Sequence, residues 1–189
     1  MDSRKKTIAI DMDGVIADTI ANFLTWYERD FGVRIGLEAF EGKLEAEGLP
    51  DNMVRKYVVT PGFFRSVPVM KGAREAVLKI SEHFDIYIVS AAMEFPQSLI
   101  EKYEWIQEHF PFITWRNIIL CGDKSIIGTD YMIDDHVKNL DTFKGKALMF
   151  TAGHNAGNNN HSRVNNWNEV INFLEKEIEN YNTTSPQYG

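Results

Sequence analysis

The chain has 189 residues, 44% hydrophobic and 12% aromatic, and its 27 acidic against 20 basic side chains give a formal net charge of −7. This is enough apolar material for one good core with a small appended lobe, while the acidic balance excludes a general binder of nucleic-acid polymers, which would present a basic face. The single cysteine, Cys121, excludes an internal disulfide, and neither an apolar signal segment in MDSRKKTIAID nor a run of membrane-spanning length is found. The expectation is a reduced, cytoplasmic protein with no membrane partner; a homodimer is left open.

Thr7 to Ile10 is a short apolar strand, and it ends in Asp11 and Asp13, one residue apart, with Gly14 directly after. Two carboxylates crowded at a strand end repel each other, a cost that a bound divalent cation offsets. An Asp-x-Asp pair by itself also reads as a cap and turn before a helix. Ala17 to Phe31 follows with Ile20, Phe23, Leu24, Tyr27 and Phe31 at helical spacing, and Gly32 is placed to end it. Further short helices are predicted over Leu37 to Glu47 and Asp51 to Val58, with Pro50 between them and Pro61-Gly62 after them.

From Gly72 the pattern becomes helix then buried strand. A helix over Gly72 to Phe84 feeds a strand over Asp85 to Val89, and a helix over Gln97 to Phe110, with Leu99, Ile100, Tyr103, Ile106 and Phe110 as its apolar face, feeds one over Asn117 to Cys121. Strands over Asp130 to Ile133 and Ala147 to Phe150 come next, then a final helix from Asn166 to Tyr181. The alternation predicts a doubly wound, Rossmann-like parallel sheet covered on both faces, with ligands beyond the carboxyl ends of its strands. The expected division is a core of residues 1–16 and 70–182, a helical cap of residues 17–69 inserted after the first strand, and a flexible tail of residues 183–189.

The other strands also end in residues suited to a phosphate or a metal. Ser90 and Ala91 follow DIYIV, Lys124 follows NIILC-Gly-Asp, and the adjacent carboxylates Asp134 and Asp135 follow YMI. In isolation Ser90 reads more readily as a helix cap and Lys124 as a solvated loop residue. The order Asp-x-Asp, Ser, Lys, Asp-Asp, each after its own strand, resembles the four motifs of the haloacid dehalogenase superfamily. With DMDGVIAD at 11–18, PGFF at 61–64, EKYEWIQEHF at 101–110, GDK at 122–124, DYMIDD at 130–135 and FTAGHN at 150–155, the chain resembles the 5′(3′)-deoxyribonucleotidase branch.

That resemblance implies a two-step phosphomonoesterase. Asp11 would be the nucleophile that forms an aspartyl-phosphate, and Asp13 the general acid/base. Ser90, the Ala91 N–H and Lys124 would hold the phosphate. Mg²⁺ would sit on Asp11, the Asp13 carbonyl and Asp135, with Asp134 in support or as the alternative ligand. The implied substrate is a nucleoside monophosphate, preferably the deoxy form; a sugar-phosphate phosphatase and a non-catalytic binding protein are the rival readings. Thr19 stands where relatives stack an aromatic on the base, the cap aromatics are expected to reduce to Phe40, and Val15, Ile16 and Phe40 are expected to wall the cleft. Phe63 and Phe64 read as packing, and the asparagine-rich stretch from Gly153 to Asn166 reads as a flexible loop near the phosphate mouth.

Overall fold

A computed structural model describes residues 4–184. Its frame is a six-stranded, all-parallel sheet in the order β3-β2-β1-β4-β5-β6. The strands are β1 (Lys6–Asp11), β2 (Phe84–Ser90), β3 (Ile118–Leu120), β4 (Tyr131–Asp134), β5 (Lys146–Phe150) and β6 (Ser162–Val164). Alternate strand residues face opposite sides. Ile8, Ile10, Ile88 and Ile133 enter the larger core, and Ala9, Val89, Met132 and Met149 enter a smaller one behind it.

The two faces are covered as right-handed crossovers require. α3 (Ala73–Ser81) and α4 (Leu99–His109) lead into β2 and β3 and pack in the larger core, whereas α5 (Val137–Thr142), between β4 and β5, places Leu140 in the smaller one. α6 (Trp167–Thr184) returns Trp167, Val170 and Leu174 to the first face. Winding therefore reverses at β1, and a crevice opens beyond its carboxyl end.

Between β1 and α3 the chain leaves the sheet through a neck in which Asp18 N–H donates to the Pro68 carbonyl and Met70 N–H to the Ile16 carbonyl, both at 2.8 Å. α1 (Thr19–Phe31) starts where Asp18 accepts from the Ala21 N–H, and it stops at Gly32, whose φ of 66° is adopted at least cost by a residue without Cβ. α2 (Met53–Val58) packs on it, and Phe23 stacks on Phe63 at 4.7 Å with Trp26 and Tyr57 around them. The apolar core runs without a break from the sheet into these helices.

Several expectations need correction. Leu37 to Glu47 is two short 3₁₀ turns, Leu37–Phe40 and Glu45–Glu47, because Gly42 interrupts it, Gly36 and Gly48 bound it, and neither turn has a side-chain cap. The cap aromatics are a cluster of Phe23, Trp26, Tyr57 and Phe63, in addition to Phe40. Gly153 to Asn166 is not a free loop. It contains β6, whose Ser-Arg-Val carries too few apolar residues for an alternating signal, and it is pinned by Asn155, 2% exposed, which donates to the Asp135 and Phe150 carbonyls. α5 was too short to register in the sequence pattern. On α4 the buried face is rotated: Ile100 is 61% exposed, whereas Lys102 is buried with Trp105 and Ile106. The predicted tail begins inside α6, which continues to Thr184; residues 185–189 lie outside the described residues. Among those described, no helix is long and apolar enough to cross a membrane.

Candidate active site

The ends of β1, β2, β3 and β4 bring Asp11, Asp13, Ser90, Ala91, Lys124, Asp134 and Asp135 into one region at the winding reversal. Register explains this, since Asp11 lies opposite Val89, one residue before Ser90, and Ile10 opposite Ile133, one residue before Asp134. Asp11 is buried and accepts the Met12 N–H at 2.8 Å. Lys124, also buried, forms ion pairs with Asp11 at 2.5 Å and Asp134 at 2.7 Å. Burial pushes the Asp11 carboxyl up to about 7, Lys124 pulls it down, and Asp134 and Asp13 push it up again. Burial disfavours the Lys124 cation, but its two carboxylates outweigh that and raise its pKa.

Asp134 and Asp135 have different surroundings. Asp134 spends its oxygens on Lys124, on the His136 N–H at 2.8 Å and on both approaches of the Asn139 amide at 3.0 Å. Asp135 keeps a buried Oδ1 with no hydrogen-bond partner, and burial, then Asp11 and Asp134, raise its pKa well above the usual carboxylate range. Gly14 makes room for it: at φ 74°, a Cβ there would lie 2.3 Å from Asp135 Oδ2. Asp11, Asp134 and Asp135 each offer an oxygen within 4.8 Å of the others. A hard divalent cation suits this all-oxygen set with one orphaned buried oxygen, so the residues present fit Mg²⁺.

The second carboxylate of the pair has its own lysine. Lys102, 3% exposed on α4, bonds Asp13 Oδ2 and reaches Ser90 Oγ at 3.0 Å, while the Ser90 hydroxyl lies 3.4 Å from the same Asp13 oxygen. Its ammonium also stands 4.4 Å from the centre of the Phe64 ring. The cavity between them has a volume of about 130 Å³ and is lined on its apolar side by Phe23, Val58, Phe64 and Phe95. Phe63 is packing and Phe64 lines the cleft, so that aromatic pair divides in role. Val15 and Ile16 are fully buried and are not part of the wall; Phe40 faces a neighbouring cavity beyond Gly14. Thr19 is in the wall, with its hydroxyl buried and unpartnered.

The sequence reading assigned no role to Lys102, yet a signal was present. It lies three residues after Leu99 and three before Trp105, on the buried stripe of α4, where an unpaired lysine would be costly. His154 likewise gained no role beforehand. It stacks on His136 with centroids 4.4 Å apart and hydrogen-bonds the Asp135 carbonyl at 3.1 Å. Burial and then His154 lower His136 to about 4, and burial lowers His154, so both rings are held neutral behind Asp135.

Comparison with known proteins bears on this geometry. Residues 5–178 match the family described as 5′ nucleotidase, deoxy (Pyrimidine), cytosolic type C protein. The chain belongs to that family. A Bacillus subtilis relative named 5′(3′)-deoxyribonucleotidase is 36% identical over 169 residues, covering 88% of this chain and 96% of its own. A Staphylococcus epidermidis relative, whose name assigns the same activity provisionally, is 42% identical over 172 residues, covering 90% and 96%. Among solved structures, a haloacid dehalogenase family hydrolase from Deinococcus radiodurans with bound phosphate and sodium matches with a TM-score of 0.59 at 14% identity, covering 93% of this chain and 97% of that one. At that identity the likeness concerns the fold alone, which is the haloacid dehalogenase hydrolase fold. As a member of the nucleotidase family, the protein is a phosphoric monoester hydrolase.

Proposed function

We propose that the protein dephosphorylates deoxyribonucleoside monophosphates in two steps through an aspartyl-phosphate at Asp11. The observation that carries this reading is the pairing of each carboxylate with its own buried lysine, Asp11 with Lys124 and Asp13 with Lys102, at the open end of β1. An Asp11 oxygen attacks phosphorus while the ester oxygen departs with the proton of Asp13. Asp13, now a carboxylate, takes a proton from the water that attacks the acyl phosphate, and phosphate leaves as Asp11 is restored. Ser90, the Ala91 N–H and Lys124 hold the equatorial oxygens, where charge is spread in the transition state. Lys102 orients Asp13 and balances its charge.

Asp11, the Asp13 carbonyl and Asp135 would hold Mg²⁺, with Asp134 locking Lys124 in place. When bound, the ion supplies positive charge that keeps Asp11 ionised beside a dianionic substrate. The relatives' names support the deoxyribonucleotide, and a 2′-hydroxyl turned towards Phe23, Val58, Phe64 and Phe95 would find no partner on that side of the cleft. The lone Cys121 and the nucleotide substrate accord with a cytoplasmic setting. The test is kcat/KM for dUMP, dTMP and dGMP beside UMP, GMP and a sugar phosphate, with Mg²⁺ and with a chelator. Deoxy forms are expected to be the better substrates and chelation to stop turnover; a better sugar phosphate overturns the nucleotide reading, and full activity after thorough chelation overturns the metal.

A further inference from the structure

The cavity above Asp13 has one wall that the two-step chemistry leaves unused. Glu45 opens the second 3₁₀ turn of the inserted segment, and its side chain faces the cavity that holds Asp11, Asp13 and Lys102. It also borders the cavity of about 410 Å³ beyond Gly14, so it separates the two spaces. Among the described residues, no hydrogen-bond donor meets its carboxyl. Burial and then the Asp13 carboxylate push it up to about 7, while Lys102 and Lys138 pull the other way. A half-buried carboxyl in a cleft, crowded by a like group and without a donor, is unfavourable in the empty protein, and a ligand that hydrogen-bonds to it relieves that cost.

The position of Asp13 indicates which part of a ligand this would be. In the proposed mechanism Asp13 protonates the ester oxygen, so a cavity-lining group near Asp13 that comes from the inserted segment, and not from the strand ends that hold Ser90 and Lys124, faces the alcohol that leaves. In a 5′-deoxyribonucleotide that alcohol carries a 3′-hydroxyl a few bonds from the ester. We propose that Glu45 is a specificity-determining residue that hydrogen-bonds the free hydroxyl of the leaving deoxyribose. Either protonation state serves, because a carboxylate accepts from a hydroxyl and a carboxyl group can also donate to it. This inference rests on the deoxyribonucleotidase reading and deepens it.

The experiment compares dUMP with 2′,3′-dideoxyuridine 5′-monophosphate, which lacks only that hydroxyl, in wild type, Glu45→Gln and Glu45→Ala. One hydrogen bond to a buried polar group corresponds to a preference of about tenfold or more in kcat/KM for dUMP in the wild type. Glu45→Ala is expected to bring the ratio of the two substrates close to one, through loss on dUMP. Glu45→Gln, which retains an acceptor and a donor, is expected to keep most of the preference. Phosphate release from p-nitrophenyl phosphate, whose leaving group has no aliphatic hydroxyl, gauges how far each variant disturbs the chemistry itself. A wild-type preference that survives in Glu45→Ala, or no wild-type preference at all, overturns the role of Glu45 and leaves the nucleotidase reading standing. Wild-type turnover of p-nitrophenyl phosphate with neither nucleotide accepted overturns that reading and this inference together.

Discussion

Lys102 and Asp13 meet across the cleft from α4 and from the loop after β1, and the same ammonium holds Ser90 and lies against the Phe64 ring. One side chain thereby joins the proposed acid/base, a phosphate-binding hydroxyl and the return arm of the inserted helices. The arm is further tied to α4 because the Glu101 carboxylate accepts the N–H groups of Gly62 at 2.6 Å and Phe64 at 3.1 Å. α4 is therefore a structural link between the chemistry and the wall that meets the rest of the substrate.

Lys102→Met keeps the length and apolar stem of the side chain and removes its charge. Asp13 then loses its cation and its orientation, and kcat is expected to fall by about 10²-fold or more, the usual scale for a disabled acid/base. Steady-state kinetics on dUMP, with circular dichroism to verify the fold, decide this. An unchanged kcat would leave Lys102 a packing residue.

Asp11→Asn is expected to abolish turnover, since an amide cannot serve as the attacking carboxylate, while Lys124 keeps Asp134 as its partner. Phosphate release and trapping, by acid quench, of protein-bound phosphate that hydroxylamine or alkali releases are the readouts. Substantial residual hydrolysis would exclude covalent catalysis at this residue.

Gly14→Ala meets two obstacles, a φ of 74° and a Cβ 2.3 Å from Asp135 Oδ2. The left-handed backbone costs about 1–2 kcal/mol for a residue with Cβ, and the side chain must displace Asp135 as well. Thermal unfolding should show the lower stability, and calorimetry should show Mg²⁺ binding weakened more than stability alone explains. Undiminished Mg²⁺ affinity would remove Asp135 from the metal site.

Stability in Mg²⁺ should depend on pH in a definite direction. Asp11 rises from 3.8 to about 7 on folding, so the metal-free fold holds this proton more tightly than the unfolded chain does. Its contribution is fully present below 3.8 and is lost as pH rises through about 7. Mg²⁺ needs the carboxylate and competes with that proton. The rise in melting temperature on adding Mg²⁺ should be small near pH 5 and grow towards pH 8, on the order of the Asp11 titration window. A shift that is equal at all pH values, or larger in acid, would contradict Mg²⁺ binding at Asp11.

Much of this site was legible without coordinates. Thr7 to Ile10 is apolar because both faces of a central parallel strand are covered, and the Asp-x-Asp after it marks where the strand leaves the core. The same local contrast, an apolar run ending in a residue that a phosphate or cation needs, marked Ser90, Lys124 and the Asp134-Asp135 pair. Such signals survive in sequence because they depend only on the chemistry of neighbouring residues and the period of the strand. Where the local signal was weak, as in the glycine-interrupted 3₁₀ turns and the three-residue β6, the reading failed.

Only the tertiary structure decided how these groups divide their partners. Asp134 and Asp135 are adjacent in sequence, yet one is saturated by Lys124, Asn139 and a backbone N–H while the other keeps a bare oxygen beside Gly14. Lys102 and Glu45 meet at Asp13 from segments far apart in the chain. Hydrogen bonding and desolvation act over a few ångströms of space, whatever the separation along the chain, and those distances exist only once the sheet and the inserted helices have packed.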